Sequence, residues 1–178
     1  MTRELAVAVM IGAAVLILAA MLWGWSRRRR RDAGLQAPLG DIPQGARVLA
    51  TAQGLYVATT VHDKPLDRLS IRPLAFRSRV AVTVTAAGVA LDLPGAPRVF
   101  LAAERLRGAG RATWTIDRVV EEGGLPFITW AVTDDVTADS YFRVQDADPA
   151  QVLDAVAGLL TPTDIAPRAD QNQTGPQP

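Results

Sequence analysis

The chain has no cysteine, a single histidine (His62) and a single lysine (Lys64) among its 178 residues. Without cysteine there is neither a disulfide nor a thiolate metal site. A zinc or iron centre needs several His, Cys or carboxylate ligands converging, and one histidine gives it almost nothing to start from. A nucleophile–base pair needs a Ser, Thr or Cys beside a histidine or an equivalent base. His62 stands in the polar stretch His62-Asp63-Lys64-Pro65, which reads as a solvated loop. The adjacent carboxylates Glu121-Glu122 and Asp134-Asp135 fall in predicted turns, where solvated charge explains them better than a glycosidase-like acid pair. Gly108-Ala109-Gly110 lacks the Gly-Lys-Ser/Thr or third glycine of a phosphate-binding loop. No catalytic, metal-binding or cofactor-binding residue is therefore assigned, and the expected class is a non-enzyme.

Charge is missing altogether between Leu5 and Trp25, a run of 21 residues. At about 1.5 Å rise per helical residue this run covers roughly 30 Å, the thickness of a bilayer's hydrocarbon core. A cleaved signal peptide carries its positive charge before an apolar core of about 7–15 residues and ends on small residues. Here Glu4 offsets Arg3, the run is too long, and it closes on Trp23-Gly24-Trp25 followed by Arg27, Arg28, Arg29, Arg30 and Arg31. Tryptophan suits headgroup depth, and basic residues stay on the cytoplasmic side of a span. The expectation is one uncleaved transmembrane helix, with the N-terminus outside, the remainder cytoplasmic, and Trp23, Trp25 and Arg27–Arg31 at the membrane interface. The five arginines serve as a topology signal, and they can also meet anionic lipid headgroups. No ionisable residue lies inside the run, so a single such helix cannot line a solute path by itself.

Residues 1–31 hold six basic groups and one acidic, a net +5; residues 32–178 hold 13 basic and 17 acidic, a net −4. The tethered part is thus mildly acidic, which argues against a broad nucleic-acid footprint. Residues 26–46 read as a basic juxtamembrane segment and linker, since 32–46 mix Gly, Pro and polar residues without apolar period. Residues 47–160 are enough chain for one domain with a sizeable core.

From Arg47 the pattern turns to short stretches of period two. Arg47–Ala52 and Leu55–Thr60 are predicted strands separated by a turn or bulge at Gln53-Gly54. Arg68–Arg72 is a short candidate strand. Val80, Val82 and Val84 share one face of a strand over Arg79–Thr85, and Val89, Leu91 and Leu93 complete a hairpin after Gly88. Arg98–Leu101 is a further strand. Residues 102–111 fit either a helical turn or an irregular strand. Ala112–Arg118 puts Trp114 and Ile116 on one face; Ile128, Trp130 and Val132 share another, and Ser140–Gln145 pairs Phe142 with Val144. Trp114, Trp130, Phe127 and Phe142 read as core residues. Asp148, Pro149 and Gln151 form an N-terminal helix signature, and Val152, Leu153, Val156, Leu159 and Leu160 give a helix over 149–160 one apolar stripe. Residues 161–178, with four prolines, read as a disordered tail. The predicted architecture is one span followed by a mostly-β domain: about seven antiparallel strands in a small barrel, closed by one C-terminal amphipathic helix.

That order of elements resembles a pleckstrin-homology-like (PH-like) domain. Gly54-Leu55-Tyr56-Val57-Ala58-Thr59-Thr60, Leu66-Asp67-Arg68-Leu69, Val82-Thr83-Val84 before Gly88-Val89, Ala112-Thr113-Trp114-Thr115, Thr129-Trp130 and Tyr141-Phe142-Arg143 are similar to single-pass membrane proteins of actinobacteria with a bacterial PH-like domain. Such proteins are often labelled export, transporter or membrane proteins, and their genes are commonly found beside pyrimidine-biosynthesis genes. The resemblance implies a membrane-tethered module of unidentified ligand. It does not carry over inositol-lipid recognition, because Lys64 is offset by Asp63 and Asp67. Nor does the closing helix hold the tryptophan usual in eukaryotic PH domains.

The functional expectation is a membrane-anchored, non-enzymatic binding or scaffold module for a protein partner. Arg68, Arg72, Arg77 and Arg79 are a candidate anion or partner patch, against the alternative of an ordinary solvated surface; Arg105, Arg107 and Arg111 form a second basic group. Anionic-lipid binding, and an accessory role in a transport or export complex, are the alternatives.

Overall fold

A computed structural model describes residues 3–112 and 124–160. The strand expected around Trp114 and Ile116, the Glu121-Glu122 turn and the tail 161–178 lie outside the described residues.

The apolar run forms one helix with the arginine run, α1 (Arg3–Asp32). Eight strands come after it: β1 (Val48–Val61), β2 (Lys64–Arg68), β3 (Ser78–Thr85), β4 (Gly88–Asp92), β5 (Val99–Ala102), β6 (Leu106–Ala112), β7 (Leu125–Ala131) and β8 (Thr137–Val144). A 3-10 turn, Ala103–Arg105, joins β5 to β6, so the ambiguous stretch is part turn and part strand. The last described element is α2 (Pro149–Ala157). All pairings are antiparallel, in the order β5-β4-β3-β1-β8-β7-β6, with β2 paired to β1. The expected order of helix, β domain and closing helix is present. Among the described residues the sheet has eight strands, and its two ends, β5 and β6, are not bonded to each other, so it curls without closing into a complete barrel. α2 packs across β1, β3, β6 and β7.

The alternation read from the sequence builds the core. Val80, Val82 and Val84 of β3 and Val89 and Leu91 of β4 are buried together with Val99, Leu101, Ile128, Trp130, Phe142, Val152 and Val156. Full burial of such a side chain is worth about 1.5–3 kcal/mol. The Asp148 side chain caps α2 by accepting from Ala150 N at 2.9 Å, with Pro149 in the first turn.

Two strand expectations are corrected. Gln53-Gly54 is not a turn: β1 runs unbroken through it. A Cβ on Gly54 would collide with the Arg143 carbonyl of β8, so the glycine marks a close backbone approach. And β2 begins at Lys64, not Arg68, because Asp63 takes a left-handed conformation (φ 61°) that closes a tight turn at His62-Asp63. Residues 69–77 are then a loop between β2 and β3. A bulge between Tyr56 and Ala58 in the β1–β8 register puts Tyr56 in the main core while Val57 and Ala58 join a second cluster with Leu125, Phe127 and Tyr141.

The stretch read as a linker also differs. Ala37 is buried in the core, Leu39 bridges to Val99, and Phe100 N donates to Pro38 O at 2.9 Å. Residues 38–40 thereby cover the outer edge of β5, which would otherwise expose unpaired backbone groups. Arg98 secures this seam, reaching Asp92 at 2.7 Å and Asp41 at 3.5 Å; its hydrogen bond with Asp92 pushes an already strong base further up.

Candidate functional site

The apolar helix does not hand over to free chain. At its last turn Arg31 donates to Asp32 at 2.7 Å and, with its two terminal nitrogens, to both carboxylate oxygens of Asp67 at 3.1 Å. Asp32 is 3% exposed, and its second oxygen accepts the backbone N–H of Ser70 at 3.0 Å. A buried carboxylate needs such partners to stay charged. Two acids and one fork-shaped guanidinium therefore join the helix end to β2 and to the loop after it.

That loop has a fixed shape. Leu69, Ile71 and Leu74 are buried. Arg68 donates to the Ala75 carbonyl at 3.1 Å, and the Tyr56 phenol donates to the Leu74 carbonyl at 2.7 Å. Burial pushes the Tyr56 phenol well above its ordinary value. The outward side of the loop and β2 is mixed: Lys64, Arg72 and Arg77 are exposed, as are Leu66 and Phe76, at 78% and 80%. A shallow open hollow lined by Arg31, Lys64, Pro65, Leu66 and Asp67 lies between the helix end and β2.

The candidate patch separates accordingly. Arg72, Arg77 and Arg79 are exposed, whereas Arg68 lies part-buried with its guanidinium on the loop's own backbone. In the second basic group, Arg105 donates to the carbonyls of Ala131 and Val132, both at 3.3 Å. Arg107 donates to those of Glu104 and Leu106, at 2.6 and 3.0 Å. These two arginines bind backbone of their own domain. On the helix, Trp23 and Trp25 are exposed, and the Arg27 guanidinium lies 5.7 Å from the Trp23 ring. Arg28, Arg29 and Arg30 lie in the same helical stretch.

His62 stands in the turn before β2 with its side chain 39% exposed, but it is also tied to the sheet. Its backbone N–H donates to Thr137 O at 3.0 Å. Its Nδ1 lies 2.9 Å from Asp139 Oδ1, and its Nε2 lies 3.4 Å from Asp63. Asp139 is 1% exposed and also accepts from Thr129 Oγ1 at 2.6 Å. The pair is 77 positions apart, so no local pattern announces it. Neither was Arg31–Asp67 visible, although a lone acid closing a run of five arginines was a usable signal for Asp32. Among the described residues no group of three or more His, Cys, Asp or Glu could hold a metal ion.

Trp130 and Phe142 are in the main core, and Phe127 is in the second cluster. Among the described residues one helix is long and apolar enough to cross a membrane, spanning Val7–Asp32. A family model described as "Bacterial PH domain-like" matches residues 35–157, more than half of the chain. A search of curated proteins found no match.

Proposed function

The chain belongs to the bacterial PH domain-like family, and from that premise we propose that it is a single-pass membrane protein whose β domain is a non-enzymatic binding or scaffold module on the cytoplasmic side. The observation that carries the reading is the junction at Arg31 and Asp32, which joins a helix of membrane-spanning length to the domain. Five arginines at that junction favour a cytoplasmic domain by the charge rule. Holding such a domain at the inner leaflet raises the effective concentration of whatever it binds. His62 contacts Asp139 and Asp63, and Arg105 and Arg107 bond backbone carbonyls of their own domain. A protein partner is the proposed ligand. The arginine-rich, lysine-poor composition fits the actinobacterial proteins that the sequence resembles.

Reporter fusions after Asp32 and at Pro178 test the topology, and both are expected to report the cytoplasm. An external signal would reassign the domain to the envelope side. Crosslinking in native membranes followed by purification of the full chain is expected to recover a defined protein partner. Turnover of a substrate by the purified chain would overturn the non-enzymatic reading.

A second reading rests on the exposure of Arg72, Arg77 and Arg79: the domain binds anionic groups through them. It requires that replacing these arginines by Glu abolishes salt-sensitive association with anionic vesicles.

A further inference from the structure

Among the described residues, the two most exposed large apolar side chains outside the helix, Leu66 and Phe76, both sit on the segments to which the helix end is joined. We propose that these two residues, with the exposed Lys64 and Arg72 on the same two segments, form a membrane-contact face that rests on the anionic surface of the leaflet from which the helix emerges. This rests on the anchored reading above and adds a fixed orientation of the domain.

Helical rise sets the distance. From Trp25, where the apolar run ends, to Asp32 is seven residues, or roughly 10 Å at about 1.5 Å each. The headgroup layer on one side of a bilayer is roughly 5–8 Å thick. Asp32 is buried against Ser70, and Arg31 grips Asp67, so β2 and the start of the 69–77 loop are held at the outer edge of the headgroups. The chain between span and domain has no slack there, because the helix runs unbroken to the residue that docks.

Chemistry selects the occupant. Leu66 lines the hollow with Arg31, Lys64 and Asp67, of which Arg31 and Asp67 pair with each other, and Phe76 lies beside exposed Arg77 and follows Ala75, whose carbonyl Arg68 holds. An apolar side chain turned to water beside basic groups matches a surface with phosphates outside and acyl chains beneath. Aromatic and aliphatic side chains enter the boundary layer while Lys and Arg stay with the phosphates. A face that near a bilayer is also poorly placed for a soluble partner.

The chain's lack of cysteine makes the test direct. Leu66→Cys, Phe76→Cys, Val15→Cys in the span and Ala86→Cys are each labelled with an environment-sensitive fluorophore. Ala86 is exposed in the β3–β4 turn, where its N–H bonds Arg47 O just ahead of β1. The 14-residue β1 separates it from the β2 end. The full chain is reconstituted in vesicles of phosphatidylcholine mixed with phosphatidylglycerol. Phospholipids carrying a nitroxide at shallow depth are expected to quench labels at 66 and 76 several-fold more than the label at 86, and less so in phosphatidylcholine alone. If labels at 15 are quenched from deep in the bilayer while 66 and 76 behave like 86, the contact face is refuted and the anchor stands. If 15 is not quenched, the anchor falls, and the contact face with it. Equal quenching at 66 and 76 in both lipid mixtures refutes the selection for anionic lipid.

Discussion

The indole nitrogen of Trp130 and the carbonyl oxygen of Leu74 are the two ends of one buried hydrogen-bond chain. Trp130 Nε1 lies 2.9 Å from Ser140 Oγ, Ser140 Oγ 2.7 Å from Thr59 Oγ1, Thr59 Oγ1 2.8 Å from Tyr56 Oη, and Tyr56 Oη 2.7 Å from Leu74 O. An indole N–H only donates and a carbonyl only accepts. Every hydroxyl between them is thereby oriented: each accepts once and donates once, from β7 through β8 and β1 to the loop beside the helix end. The shape of that loop is thus tied to the core.

Removing the middle of the chain should cost more than one bond. Ser140→Ala leaves the Trp130 N–H without its buried partner and takes one of two partners from the Thr59 hydroxyl, and an unsatisfied buried group costs about 1–3 kcal/mol. A fall of about 2 kcal/mol is expected in the unfolding free energy of the domain, read from the denaturant midpoint at unchanged slope. No change in midpoint would show that the chain does not hold the fold.

Tyr56 should make the domain sensitive to alkali. Its folded-state value is raised by burial, so the folded state keeps a proton that the unfolded chain releases near its ordinary value of about 10. The contribution is complete below that pH and is lost as pH rises toward the folded value. Stability should be level at neutral pH and fall above about pH 10. Tyr56→Phe should be less stable at neutral pH, having lost the bonds to Leu74 and Thr59, but should show a shallower alkaline decline. Equal slopes in the two proteins would refute this assignment.

Two glycines should respond oppositely to a methyl group. At Gly54 the added carbon would meet the Arg143 backbone, with Arg143 C at 2.9 Å; at Gly108 the nearest atom is Thr129 Cβ at an ordinary 3.6 Å. Gly54→Ala should cost about 3 kcal/mol, since backbone cannot give way as a side chain can. Gly108→Ala should be near neutral or gain slightly from reduced freedom in the unfolded chain. Thermal unfolding of the two variants decides it.

The helix junction should depend on Asp32 more than on Asp67. Arg31 and Asp67 are partly solvated, and such a pair contributes about 0.2–1 kcal/mol. Asp32 is buried, and its hydrogen bond to Ser70 is of the charge-assisted kind worth about 1.5–3 kcal/mol. Asp32→Ala should therefore speed hydrogen exchange at the Ser70 amide strongly, and Asp67→Ala only weakly. Equal acceleration would place the hold in the exposed pair.

Legibility in the sequence tracked the range of the forces involved. The β3–β4 hairpin was legible from Val80, Val82, Val84, Val89 and Leu91 because a strand's two faces repeat every second residue. The α2 cap was legible because Asp148 bonds an amide two residues on. Gly54 misled because a glycine at a turn and a glycine under a crossing carbonyl look alike until the crossing strand is known. The His62–Asp139 contact was not legible because Asp139 arrives on β8.

By itself the sequence determined an uncharged 21-residue run ending in tryptophans and followed by arginines, a domain of alternating strands, and a capped final helix. Each arises from interactions among residues a few positions apart. Only the tertiary structure decided that Asp32 would be buried against Ser70, that Arg31 would grip Asp67, and that residues 37–40 would pack on the sheet. Those outcomes depend on which strands pair and where the chain returns, and so on contacts between residues that the sequence keeps 30 or more positions apart.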